Sequence, residues 1–219
     1  MKITGEIYQV GGEGYTAPQD GSIYLMTMEG HAALVDAGCG GETRQLLDNV
    51  SACGVAPEQI ELLLITHCHF DHTGGAAELR EALGLTVVAH ALDAQYMETG
   101  DDEVTAASWY GASLTPVTVD RKLTGSGETI ALGSRTIKAL HMPGHSPGSL
   151  VYLVTSDGLK VLFGQDVHGP LDRRLLSDRA DYRHSLEQMA ALDADLLCEG
   201  HFGVICGKDA VRRFIRSFL

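Results

Sequence analysis

The sequence reads as an α/β protein, and three observations predict it. Short apolar stretches with strand character alternate with helical stretches in both halves of the chain. Hydrophobic residues make up 44% of the 219 residues, enough to bury a sizeable core. Groups able to bind metal follow directly on several of the apolar stretches, where α/β sheets hold their sites.

The chain opens in strands, ITGEIYQV (3–10), SIYLMTM (22–28) and HAALVDAG (31–38). ETRQLLDNVSACG (42–54) has helical spacing, with Leu46, Leu47 and Val50 on one side and Gly54 as a stop. ELLLIT (61–66) is the short apolar run of a buried strand. AAELREALG (76–84) is a helix closed by Gly84, and LTVVAH (85–90) is a strand. An insert at about 91–118 is expected to be mostly helical; it is acidic, and its Trp109 and Tyr110 read either as a wall of a cleft or as core packing. In the second half ETIAL, RTIKALHM, SLVYLVT and KVLFG read as strands joined by tight turns such as SDG. DYRHSLEQMAAL is a helix, DLLCEG a strand and KDAVRRFIRSFL a closing helix. The topology does not follow from periodicity.

Composition excludes several function classes. Sixteen basic against 29 acidic residues give a net charge of −13, scattered along the chain, which argues against nucleic acid and anionic membranes as partners. The five cysteines are odd in number and none are paired as CxxC, as in the reduced thiols of a cytoplasmic protein. The N-terminus has no apolar run suited to a signal peptide or membrane span. The expected partner is a small-molecule substrate in the cytoplasm, with a homodimer left open.

ITHCHFDHTGG (65–75) places His67, His69, Asp71 and His72 in one loop after the apolar run. Imidazoles and carboxylates so close together form the usual ligand set of zinc and similar divalent ions. Four side chains on one loop do not converge comfortably on a single ion. Two ions, or one ion plus residues that support its ligands, fit better. Further ligands must come from elsewhere, and three places repeat the design of a polar group at a strand end with glycine beside it: His145 in MPGHSPGS, Asp166 in VLFGQDVHG and His201 in LLCEGHFG. Each residue alone would be an ordinary turn or cap residue; their company changes the reading.

In this order, THCHFDH, PGHSPGS, GQD and GH, together with the upstream LVDAG, resemble the motifs of the metallo-β-lactamase superfamily. The resemblance implies that residues 1–219 form one domain, an αββα four-layer sandwich with two metals at one edge. It implies that His67, His69 and His145 hold one ion, that Asp71, His72 and His201 hold a second, and that Asp166 bridges them. Asp36 would support a ligand, because a metal-bound imidazole needs an acceptor for its other ring N–H. The implied cofactor is a pair of divalent ions, zinc first, with iron or manganese as alternatives. Two ions about 3.5–4 Å apart can share one water and lower its pKa toward neutrality. The bridging hydroxide then attacks an acyl carbon or a phosphorus, with Asp71 orienting it or moving a proton to the leaving group. No GxSxG elbow competes for the nucleophile's role.

Departures from family patterns narrow the substrate. The pair Asp71 and His72 is intact, whereas most β-lactamase subclasses replace one of those positions. Flavodiiron proteins carry a glutamate in place of His69. Only 18 residues follow His201, too few for the helical glutathione platform of glyoxalase II, and the inserted domain of long nucleases is absent. Quorum-lactone hydrolases have a tyrosine where Gly169 stands. The expected activity is hydrolysis of a thioester, lactone or related ester. The alternatives are a phosphodiesterase, a mononuclear iron persulfide dioxygenase using His67 or His69 with His145 and Asp166, and a non-catalytic metal-binding protein.

His168, two residues past Asp166, is a candidate for the substrate cleft. Arg173 and Arg174 are solvated loop residues or an anion clamp. Related thioesterases carry a basic residue nine positions after the bridging aspartate, which here is Leu175. Cys68 reads as a packed thiol. His31, His90, His141 and His184 read as structural or exposed.

Overall fold

The computed structural model describes residues 1–164 and 166–219. Its strands form two six-stranded sheets. The first runs, in spatial and chain order, through β1 (Ile7–Gly11), β2 (Ile23–Met28), β3 (His31–Val35), β4 (Ile60–Leu64), β5 (Thr86–His90) and β6 (Arg121–Leu123). β1 to β3 pair antiparallel, and β3 to β6 pair parallel. The second contains β7 (Gly127–Leu132), β8 (Arg135–His141), β9 (Leu150–Ser156), β10 (Leu159–Phe163), β11 (Leu196–Cys198) and β12 (Val204–Cys206). Only β10 and β11 are parallel in it.

The period-2 side-chain rule sorts the apolar residues into three layers. Tyr24, Met26, Ala33, Val35 and Val88 of the first sheet face Ile130, Ile137, Tyr152, Val161 and Phe163 of the second. The alternate residues Leu25, Leu34, Leu63 and Val87 face outward, covered by Leu46 and Val50 of α1 (Thr43–Ala52), Leu79 of α3 (Ala76–Leu83) and Met97 of α4 (Ala91–Thr99). Val151 and Leu162 face the other way, under Tyr182, Leu186 and Met189 of α5 (Arg179–Ala191) and Val211 and Ile215 of α6 (Lys208–Arg216). The spacings in α5 and α6 are the i, i+3, i+4 stripe of half-buried helices. The layers are therefore αββα, as the resemblance implied.

Two buried tyrosines join the sheets at one edge. Tyr152 donates its hydroxyl to Ile65 O at 2.7 Å and Tyr24 donates to Glu199 O at 2.7 Å. That edge holds the carboxyl ends of the parallel pairs β3–β4 and β10–β11, so the loops after these four strands meet there.

Two expectations need correction. The 91–118 insert is helical only in α4 and in a 3-10 turn, Ala107–Tyr110; the rest is turn and extended chain. Gly100 ends α4 in the left-handed conformation, with φ 65°, and Pro116 lies beyond it, so the helical pattern cannot run on. β6 and β12, three residues each, were not anticipated, because so short a strand shows no alternation in sequence.

Candidate metal centre

The expected ligands come together at this edge. The loop after β4 carries His67 and His69 and runs into a single helical turn, α2 (Phe70–Thr73), which carries Asp71 and His72. His145 comes from the β8–β9 turn, Asp166 from the loop after β10 and His201 from the loop after β11. His67, His69 and His145 form one group whose ligand atoms lie within 4.8 Å of one another, and Asp71, His72, Asp166 and His201 form a second. Asp166 lies between the groups. Its Oδ2 is 3.5 Å from His145 Nε2 and 3.4 Å from His201 Nε2, and its Oδ1 is 3.2 Å from His72 Nε2.

Hydrogen bonds behind the ligands fix which ring nitrogen faces inward. His145 Nδ1–H donates to Pro170 O at 3.0 Å, since a carbonyl can only accept. His72 Nδ1–H donates to Asp36 Oδ2 at 2.8 Å. Thr66 donates its hydroxyl to the same carboxylate at 2.7 Å, so Thr66 Oγ1 accepts from His67 Nδ1–H at 3.0 Å. Asp36 supports two ligands in this way. It sits in the left-handed region with φ 63°, an uncommon conformation outside glycine.

On His67, His72 and His145 it is therefore Nε2 that points inward. His67 Nε2 and His145 Nε2 lie 3.2 Å apart, and His72 Nε2 and His201 Nε2 lie 3.4 Å apart. His69 Nε2 and Asp166 Oδ1 are buried with no hydrogen-bond partner among the described residues. The facing acceptors of His67 and His145 and the orphaned buried atoms repel one another unless cations lie among them, so the residues fit divalent ions. Two glycines keep the approach open. A Cβ on Gly200 would overlap Asp166 Oδ1, and one on Gly21 would lie 2.6 Å from His72 Cε1.

Electrostatics divide the two groups. Burial, reinforced by neighbouring imidazoles, holds His67 well below the usual histidine range, and burial with His145 pushes His69 down to about 3. Burial also lowers His145. Burial opposes charge on His72 too, but Asp166, Asp71 and Asp36 outweigh it and raise it well above the usual range. His201, likewise opposed by burial, is raised to about 10 by hydrogen bonds to Asp166 and Asp71.

His69, Asp71, Asp166 and His201 open on a cavity of about 220 Å³, also lined by Trp109, Tyr110, His168, Pro170 and Leu175. His201 borders a second hollow of about 380 Å³, and Tyr110 borders a third of about 420 Å³ beside Cys39 and Phe70. Burial and then Asp71 raise the Tyr110 hydroxyl far above its usual value, so it stays a donor. Burial pushes up the thiols of both Cys39 and Cys68, away from the thiolate that a nucleophile needs.

His168 lines the cavity and its Nδ1 lies 3.0 Å from Glu199 Oε1. Arg173 and Arg174 are exposed and do not line the cavity, whereas Leu175 does. Arg174 pairs with Asp172 at 2.9 Å and lies over the Trp109 ring, 5.0 Å from its centroid.

The family model for the metallo-beta-lactamase superfamily matches residues 16–201. The chain belongs to the metallo-beta-lactamase superfamily. It is a hydrolase of that family, and the family with the ligand groups implies divalent metal binding. An acyl-coenzyme A thioesterase from Gallus gallus is 28% identical over 94% of this chain and 80% of its own length. A hydroxyacylglutathione hydrolase from Anaeromyxobacter dehalogenans is 36% identical over 64% of this chain, and the match spans only 47% of that protein. Among solved structures, a metallo-beta-lactamase from Cronobacter sakazakii superposes with a TM-score of 0.82 over 100% of this chain and 92% of that one; at 24% identity it shows the fold alone. The metallo-beta-lactamase GOB-18 from Elizabethkingia meningoseptica is 26% identical over 92% of this chain and 76% of its own, with a TM-score of 0.79. No helix among the described residues is long and apolar enough to cross a membrane.

Sequence reading missed Thr66, Asp93 and Glu199, and it gave Tyr110 no role in the chemistry. Thr66 and Glu199 left a trace, each standing within two residues of a ligand. Tyr110 and Asp93 reach the site only through the fold.

Proposed function

We propose that the protein is a thioester hydrolase working with two divalent ions, one in each ligand group, with Asp166 reaching both. The observation that carries this reading is the complete set of seven ligand side chains, Nε2 lone pairs turned inward, opening on a cavity with apolar walls. Zinc is the first choice of ion, since imidazole and carboxylate ligands suit it. Ions held there would supply Lewis acidity and a water acidified toward neutral pH.

The chain's own groups do the rest. Trp109, Tyr110, Pro170 and Leu175 bind the acyl group and exclude bulk water. The Tyr110 hydroxyl, fixed as a donor beside Asp71, is placed to hydrogen-bond the acyl oxygen. Asp71 holds or passes a proton at its Oδ2, 3.1 Å from His201 Nε2. His168 contacts the substrate from the opposite loop. The two side hollows give room for both arms of a thioester, acyl and thiol. The relatives named as thioesterase and hydroxyacylglutathione hydrolase favour a thioester over a lactone.

The test is a substrate screen on zinc-loaded protein with acyl-coenzyme A, hydroxyacylglutathione, lactones, a bis-aryl phosphodiester and a penicillin. Thioesters should turn over fastest. Faster phosphodiester cleavage, or oxygen uptake with a persulfide on the iron-loaded protein, would replace the thioester reading.

A further inference from the structure

Two buried carboxylates stand behind the ligands, one for each group. Asp93, in the first turn of α4, is 1% exposed. Its Oδ2 accepts from Cys68 N–H at 2.9 Å and from the Ser146 hydroxyl at 2.6 Å, and its Oδ1 accepts from Gly148 N–H at 2.6 Å. Cys68 lies between His67 and His69, and Ser146 follows His145. Asp93 therefore ties together the two loops that supply the all-histidine group.

Glu199, just past β11, is fully buried. Its Oε1 accepts from Val167 N–H at 2.8 Å and from His168 Nδ1–H at 3.0 Å. Its Oε2 accepts from His201 N–H at 2.7 Å and Phe202 N–H at 2.8 Å. Val167 follows Asp166. Glu199 therefore ties the loop of Asp166 to the loop of His201.

A buried carboxylate is costly unless it is hydrogen-bonded and its charge is balanced. Hydrogen bonds are supplied here, but no lysine or arginine forms an ion pair with either residue among the described residues. Cations in the ligand groups would provide the balancing charge. The chemistry also requires a carboxylate. Every group facing Asp93 and Glu199 in these bonds is a donor, so an amide would turn its NH2 against one of them.

We propose that Asp93 and Glu199 are positioning residues that act unequally on the two ion sites, Asp93 mainly on the His67–His69–His145 site and Glu199 mainly on the Asp71–His72–His201 site. Asp36 differs from both, because through Thr66 and His72 it touches each group.

The test uses the full chain, zinc alone and a competing chelator. His201→Ala is the background that isolates the all-histidine site, and His69→Ala isolates the other. Adding Asp93→Asn to the first background should weaken zinc about 10–100-fold, the usual effect of losing a partner behind a ligand. In the second background the loss should be several-fold smaller, since Asp93 hydrogen-bonds neither the Asp166 loop nor the His201 loop. Glu199→Gln should give the reverse pattern. Ser146→Ala and His168→Ala, which each remove one donor, should give smaller losses at the same single sites and decide the matter if a carboxylate variant does not fold. Equal losses at both sites, tracking a lower Tm of the zinc-free protein, would assign the two residues a merely structural role. No loss at either site would overturn the proposal.

Discussion

The two ligand groups are built from the same kinds of side chain, yet they hold charge in opposite ways. His67 and His72 are both fully buried, and burial drives both toward neutrality. His67 is surrounded chiefly by imidazoles and falls well below its usual range. His72 faces three carboxylates and rises well above it. Burial does not fix the charge of a buried imidazole; the number of carboxylates around it does. One half of the centre is thus a buried, neutral cradle. The other is acidic and half open, with the His201 side chain 32% exposed.

Asp166→Ala is the largest perturbation of this contrast, because the carboxylate reaches both halves. Metal loading of both sites should fall by more than the roughly 100-fold upper range seen for partners behind a ligand. Metal analysis after dialysis, with activity on the same samples, measures it. Loss at one site only would show that Asp166 does not bridge.

A pH titration sharpens the contrast. The surrounding carboxylates favour the protonated form of His72 and His201, so an ion must displace protons there. Zinc affinity at that site should fall as pH falls, about tenfold per unit for each proton displaced. Burial favours the neutral form of His67, His69 and His145, so their site should be nearly flat between pH 6 and 8. Chelator competition in single-site variants reads both slopes, and equal slopes would erase the distinction.

Asp36→Ala should have a smaller effect than Asp166→Ala, about 10–100-fold in metal affinity. It should be felt at both sites, since Asp36 serves His72 directly and His67 through Thr66. The smallest effects belong outside the centre. Arg174 already pairs with Asp172, so Arg174→Ala should change KM for an anionic thioester less than Arg173→Ala does, with metal content unchanged in both. The reverse order would mean that the Asp172 pair opens to bind substrate.

The candidate ligands could be picked out in the sequence because they stand on loops and a helical turn that follow apolar runs, with glycines beside them, a local pattern. The αββα layers followed from the resemblance, and the alternation in β2, β3 and β9 agrees with it. What was not legible depends on contacts across the fold. Asp93 lies 25 residues from Cys68 and 53 from Ser146, and nothing local marks its role. Tyr110 reaches Asp71 only because the insert breaks after α4 and folds back over the site. For Arg173 and Arg174 the local pattern leaves both the solvated loop and the anion clamp standing, and the 3-10 turn sets Leu175 rather than either arginine against the cavity.

Zinc stoichiometry of the wild-type chain tests the two-site centre most directly. Metal-free protein titrated with zinc at pH 7.5, with bound metal counted by elemental analysis, should take up two ions per chain in two resolvable steps. Lowering the pH to 6 should weaken one step and leave the other in place. Saturation at one ion per chain under excess zinc would contradict the two-site centre and leave seven ligand side chains serving a single ion.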